Sequence, residues 1–173
     1  MIKDSMDYDF NKIYELLETN FSRDEYRSFE GQKALFDDKR YDLMKETGQD
    51  GKLKGFIAFF DINEFIFIEH FVVDMTHRNL GIGQKMLKKF CAEQKKPVLL
   101  EVECPDSEIN IRRIDFYKRN GFFYNDYEYR QPPIEKGCQS IPLSIMTYPK
   151  PIINEAEFIY YRNFLYKHIY HIT

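Results

Sequence analysis

The sequence predicts an α/β domain: a single mixed, mostly antiparallel twisted sheet flanked by helices. Two apolar runs of strand length, LKGFIAFF and FIFIEHFVVD, follow one another across a short turn, and RYDLMKE precedes them as a third strand. Together they make an antiparallel meander. The apolar period then becomes helical after Gly81 and returns to that of a strand at PVLLEVE. This is the pattern of a strand–helix–strand unit. With helical patterns at both ends, the order reads helices, three strands, helix, strand, helix, two strands, helix.

The first helix comes from DYDFNKIYELLETNF, where Phe10, Ile13, Leu16 and Leu17 fall on one face. The more polar SRDEYRSFEGQKALFDD holds a second helix or two short ones. TGQDGK and DINE are the turns of the meander. In the third strand, alternation puts Phe65, Phe67, Glu69, Phe71 and Val73 on one face and Ile66, Ile68, His70 and Val72 on the other. Both faces are apolar, so this strand belongs at the centre of the sheet.

Ile82, Met86, Leu87, Phe90 and Cys91 then recur at helical spacing, with Lys85, Lys88 and Lys89 on the solvated face. Pro97 stops that helix. EINIRRIDFYKRN is the next one, and its Asn-Gly exit lets Gly121 take the left-handed cap conformation. FFYNDYEY and IPLSIMTY are the last strands, joined by a loop containing Pro132, Pro133 and Gly137. The tail from Asn154 reads as a final helix with a broad aromatic stripe, a core or dimer contact. One domain, 1–173, is expected, with 152–173 as a C-terminal helical extension.

Bulk properties narrow the function. A length of 173 residues suits one domain with a sizeable core. The 25 basic and 28 acidic residues give a net charge of −3, which argues against a nucleic-acid or anionic-membrane surface. No run approaches the roughly 20 apolar residues of a membrane span. The start, MIKDSMDYDF, lacks an export pattern, so a cytoplasmic location is expected. Cys91, Cys104 and Cys138 have neither metal nor disulfide spacing, which reads as free thiols. His168 and His171 lack a third ligand, and no metal is expected.

The segment RNLGIG joins the end of the central strand to the lysine-bearing helix. Glycines at 81 and 83 clear side chains from that corner and admit unusual dihedrals. The first amides of the helix, unpartnered within it, then face open space together with the positive end of the helix dipole. Such a corner binds phosphate. A dinucleotide fold would need glycine where Met86 stands, and a P-loop would need wider glycine spacing followed by Lys-Ser or Lys-Thr.

Arg78, Gly81 and Gly83, placed after a strand and at the opening of a helix, resemble the acyl-CoA motif Gln/Arg-x-x-Gly-x-Gly/Ala of the GNAT superfamily of N-acetyltransferases. A second element agrees: Asn110, Tyr117, Gly121 and Phe122 are similar in order and spacing to that family's other signature. Arg113 stands where the family often has a small residue, and the loop Cys104 to Glu108 is longer than usual. The resemblance covers roughly Leu53 to Tyr127 plus a final strand. It implies the GNAT fold and acetyl-CoA as co-substrate, without a metal. The backbone from Arg78 through Asn79, Leu80, Gly81, Ile82 and Gly83 would hold the CoA pyrophosphate. The strand end Phe71, Val72 and Val73 would pair with the pantetheine arm, and Asn110 and Tyr117 would complete the cofactor side.

Acetyl transfer to an amine needs a base, because the free amine has a pKa of about 10. It also needs fixed donors for the carbonyl oxygen and a proton donor near the sulfur. By resemblance Tyr117 is the general acid. The base is expected among Glu69, Glu101 and Glu103, in that order, because Glu69 lies in an apolar strand where a carboxyl has a raised proton affinity unless paired. His70, pointing the other way, reads as a core histidine. Cys104 has no partnered histidine to activate it, and Tyr124, Tyr127 and Tyr129 are candidate walls of an acceptor pocket.

The implied function is transfer of acetyl from acetyl-CoA to a primary amine, of a small molecule first, by direct attack in a ternary complex. The alternatives are a protein N-terminus or lysine as acceptor, or a non-catalytic acyl-CoA-binding sensor. The expected partners are acetyl-CoA and an amine, with no nucleic acid or membrane and with room for a homodimer.

Overall fold

β1 (Tyr41–Thr47), β2 (Leu53–Asp61), β3 (Ile66–Val73), β4 (Val98–Glu103), β5 (Phe123–Gln131) and β6 (Ile141–Tyr148) form one sheet in the order β1-β2-β3-β4-β6-β5. The computed structural model describes residues 2–172, with side chains from residue 10 on; Met1 and Thr173 lie outside the described residues. Every strand pair is antiparallel except β3 with β4. The meander and the strand–helix–strand unit are therefore both present, and the α/β class holds.

Five α-helices cover the two faces: α1 (Ile2–Asn20), α2 (Phe29–Ala34), α3 (Ile82–Glu93), α4 (Glu108–Arg119) and α5 (Glu155–His168). On one side Ile13, Leu16 and Leu17 of α1 and Phe158, Tyr161 and Leu165 of α5 pack on Phe56, Phe60, Phe65 and Phe67 of the sheet. On the other, Met86, Leu87 and Phe90 of α3 and Ile114 of α4 pack on Ile57, Ile66, Ile68 and Leu100. The aromatic stripe of the tail is thus core of its own chain.

Local signals account for the helix ends. Ser107 caps α4, its Oγ accepting from the Asn110 amide. Asn154 and Glu157 form a reciprocal capping box at α5, each amide donating to the other's side chain at 3.0 Å. The polar segment after α1 resolves into α2 between two single 3-10 turns, Arg23–Glu25 and Leu35–Asp37. The last helix stops earlier than its pattern suggests. His171 takes a left-handed φ of 55°, and the chain folds back so that the Ile172 amide donates to the Tyr166 carbonyl.

The alternation expected for β3 breaks at Glu69. Ala58 pairs with His70 and Phe59 with Ile68, so Glu69 is an extra residue, a β-bulge. Phe65 and Phe67 therefore share a core with Val72, while Ile66 and Ile68 share the other with Phe71 and Val73. The expected grouping of Phe71 and Val73 with Phe65 and Phe67 is corrected by that one residue. Nor does His70 point away from Glu69: its Nδ1 lies 3.5 Å from Glu69 Oε2.

A larger irregularity shapes β5. Asn125 pairs with Ile145 and Tyr129 with Leu143, so the three residues between them face Ser144 alone. Asn125, fully buried, holds this bulge. Its Nδ2 donates to the Ile145 carbonyl and to Thr147 Oγ1, both at 3.1 Å, and its Oδ1 accepts from the Ile153 amide at 2.9 Å. Asn125→Ala strands that amide in the interior and takes a donor away from both acceptors. The variant is expected to lose about 2–3 kcal/mol of stability in urea unfolding followed by circular dichroism.

Candidate active site

β3 and β4 bond to each other only over Ile66–Ile68 against Val98–Leu100. Beyond that stretch β3 stays with β2 as far as Val73, and β4 stays with β6 as far as Glu103. The sheet therefore parts between Glu69–Val73 and Glu101–Glu103, and a cavity of about 630 Å³ opens there. Phe71, Val72 and Val73 line one wall, and Arg113, Phe116 and Tyr117 of α4 another. With their ladder partners absent on this side, the backbone groups of the β3 end are available to an extended ligand.

At the end of β3 the corner anticipated from RNLGIG is present. Asn79 and Gly81 both have left-handed φ, 62° and 74°, and Gly81 is the N-cap of α3 with no side-chain cap. A Cβ added at Gly81 would meet nothing within 4 Å, so the glycine serves its backbone conformation. At Gly83 an added Cβ would lie 3.3 Å from Val73 Cγ2 and 3.5 Å from Phe71 Cζ. That glycine keeps open the passage between α3, β3 and α4. Gly81, Ile82 and Gly83 line the cleft, where the first amides of α3 have no intrahelical partner. This cradle fits a diphosphate.

The other expected cofactor-side residues lie as follows. Arg78 lines the cleft, but its guanidinium donates to Asn20 Oδ1 and, through Nε, to the Val73 carbonyl at 3.3 Å. Leu80 stands in solvent, leaving only its backbone toward the corner. Asn110 does not line the cleft: its side-chain amide donates to Oδ1 of Asp106, the residue before the α4 cap, at 2.8 Å. Arg112 and Arg119 of α4 add positive charge to the cleft lining.

The three candidate acids have different partners. Glu69 is gripped by Arg27, whose Nη1 donates to Oε1 at 2.6 Å with both side chains nearly out of solvent. Burial alone would raise the Glu69 carboxyl, but the Arg27 guanidinium, with His70 beside it, outweighs burial and holds it down to about 2. The raised proton affinity expected for Glu69 is therefore corrected, because an unanticipated arginine pairs with it. His70 also bonds through Nε2 to the Glu25 carbonyl oxygen at 2.8 Å. Glu103 is paired with Arg113.

Glu101 has no cationic partner at hydrogen-bond range among the described residues. Tyr129 donates to its Oε1 and Tyr170 to its Oε2, the latter at 2.6 Å. Burial pushes its carboxyl up to about 7, against the pull of those two hydroxyls. Glu101 lines the cleft and is the acid whose proton affinity lies near neutral pH. Glu101, rather than Glu69, thus carries the raised proton affinity expected of an acid buried in an apolar strand.

Tyr117 is buried on α4 and lines the same cleft. Burial raises its phenol well above the ordinary range, partly opposed by Arg113. Arg27 and Tyr170 escaped the sequence reading. The signal for Arg27 was the cost of an acid in so apolar a strand, which demands a cation somewhere. Among the described residues no group of three or more His, Cys, Asp or Glu is arranged to hold a metal ion, and no helix is long and apolar enough to cross a membrane.

Comparisons with known proteins agree with this geometry. The family model described as Acetyltransferase (GNAT) family matches residues 10–122. The protein YjbC of Bacillus subtilis (strain 168) is 31% identical over 111 residues, covering 63% of this chain and 55% of its own. The chain thus spans about half the length of that curated relative. A solved GNAT-family chain from Bacteroides thetaiotaomicron is 32% identical, covering all of this chain and 97% of its own, with a TM-score of 0.88. The ribosomal-protein-S18-alanine N-acetyltransferase from Escherichia coli shares the fold at 19% identity and a TM-score of 0.61, over 86% of this chain and 92% of its own. With the parted sheet, the amide cradle at Gly81–Gly83 and a family match over most of its length, the chain belongs to the acetyltransferase (GNAT) family.

Proposed function

We propose that this chain transfers the acetyl group of acetyl-CoA to a primary amine, by direct attack within a ternary complex. The observation that carries the reading is a neutral-range acid, Glu101, facing the same cleft as the unpartnered amides of α3. Acetyl-CoA supplies a thioester-activated acetyl group when bound. The amides at Ile82 and Gly83 hold its diphosphate, and the free backbone of Phe71–Val73 aligns its arm. Arg112 and Arg119 add favourable charge near the phosphates.

Glu101 takes the proton that the amine must lose. A carboxyl near 7 is about half ionised at neutral pH and keeps more proton affinity than an ordinary carboxylate, the compromise general-base catalysis favours. Glu69, ionised and bound to Arg27, stays an anion whose charge is compensated by the guanidinium, so it does not compete for the amine proton. Tyr117 keeps its proton at any working pH, being a weaker acid than a thiol of about 8.5. Its part is to donate a hydrogen bond from Oη rather than to give the proton up. Phe21, Glu25, Gln131 and Leu143 also line the cavity.

A CoA-release assay with acetyl-CoA and a panel of small amines, protein N-termini and lysine peptides tests the activity. Turnover on none of them, with acetyl-CoA still bound, would leave a binding module instead. Gly83→Val is expected to weaken CoA binding at least tenfold in calorimetry while unfolding stays cooperative, since the new side chain fills the passage beside Val73 and Phe71. Glu101→Gln is expected to lower kcat by about a hundredfold or more. In the parent, the rate should climb with pH through about 7 as Glu101 ionises, and that inflection should vanish in the variant. Tyr117→Phe should reduce kcat and leave the affinity for acetyl-CoA unchanged.

A further inference from the structure

Glu101 is held from two distant parts of the chain. Tyr129 comes from β5, just past the bulge, and Tyr170 comes from the segment that follows α5. Both rings are buried, at 3% and 6% exposure, in the aromatic core beneath the sheet. One hydroxyl donates to each carboxylate oxygen. A carboxylate gripped at both oxygens cannot rotate, and phenolic donors stabilise its ionised form. The segment carrying Tyr170 is tethered in turn: Arg40 reaches the His168 carbonyl, and the Arg27 guanidinium that pairs Glu69 reaches the Ile169 carbonyl.

We infer that Tyr170 and Tyr129 are positioning residues that fix Glu101 and keep its proton-accepting form populated, so that the segment after α5 is part of the active site. This rests on the reading of Glu101 as the base. The titratable and charged groups facing Glu101 are Glu69 and His70 from β3, Tyr129 from β5, Tyr166 from α5 and Tyr170 itself, with Arg27 behind Glu69. Of these, Tyr129 and Tyr170 reach its carboxyl oxygens with hydrogen bonds. Removing either hydroxyl withdraws a donor from the ionised carboxylate and leaves the ring in place. The carboxyl then binds its proton more tightly, and the rate at pH values below the midpoint falls.

The test uses Tyr170→Phe and Tyr129→Phe, with thermal unfolding checked for each. The kcat profile between about pH 5.5 and 9 should keep its shape while its midpoint moves up by about one unit. Such a shift costs nearly tenfold in rate at pH 6 and little at pH 9, with KM for acetyl-CoA unchanged. A loss equal at all pH values, with the midpoint unmoved, would mark the tyrosines as merely structural and overturn the inference. Independently of turnover, carbon-13 NMR of the glutamate carboxyls should locate one resonance that is absent in Glu101→Gln. Its titration should move upward in the tyrosine variants, and an unmoved titration overturns the inference. A Glu101→Gln variant with the parental pH profile would sink the base assignment itself, whereas an altered one beside unmoved tyrosine variants sinks the positioning role alone.

Discussion

The rest of this structure depends on a hydrogen-bond ladder that stops early. β3 and β4 pair over three residues each and then separate, although both strands continue. Unpaired strand backbone is expensive unless something else satisfies it. The fold keeps β3 extended by pairing it with β2 and β4 by pairing it with β6, so each half of the sheet is intact without the other. The gap is therefore built in. The bulge at Glu69 sits where the separation begins, and it turns two neighbouring polar side chains toward the same side.

Two acids on adjacent strands then acquire opposite characters from their partners alone. Glu69 gains a buried guanidinium and becomes a permanent anion. Glu101, surrounded by phenols, keeps an affinity for its proton near neutrality. Burial pushes both upward, and the deciding difference is one full positive charge at hydrogen-bond distance. Breaking the Arg27–Glu69 pair from one side would leave an uncompensated buried charge, so this pair constrains sequence change more than a surface ion pair does.

Much of the architecture was legible because it rests on local periodicity. The meander, the central strand–helix–strand unit and the corner at Gly81 follow from apolar spacing and two glycines, with no partner needing to be known. The bulge was not legible. Both faces of β3 are apolar, so a one-residue slip at Glu69 leaves the pattern of Phe, Ile and Val looking equally reasonable on either side. The contrasting proton affinities of Glu69 and Glu101 were hidden for a different reason. They are set by Arg27, Tyr129 and Tyr170, which are far from those acids in sequence and carry no spacing signal for this pairing. Asn110 shows the converse, a residue matching a pattern in sequence whose side chain is engaged by Asp106, just before its own helix.

The support behind Glu69 and Glu101 joins segments near opposite ends of the described chain: Arg27 and Ile169 are 142 positions apart. Contacts of such separation close large loops, which costs chain entropy that short-range pairings do not. Hairpins and helices can form while Glu69 and Glu101 still lack their partners. During synthesis, a chain that has not yet released α5 and Tyr170 carries the corner at Gly81 but lacks the contacts of Ile169 with Arg27 and of Tyr170 with Glu101, so the surroundings of the two acids are completed by the last turn to dock.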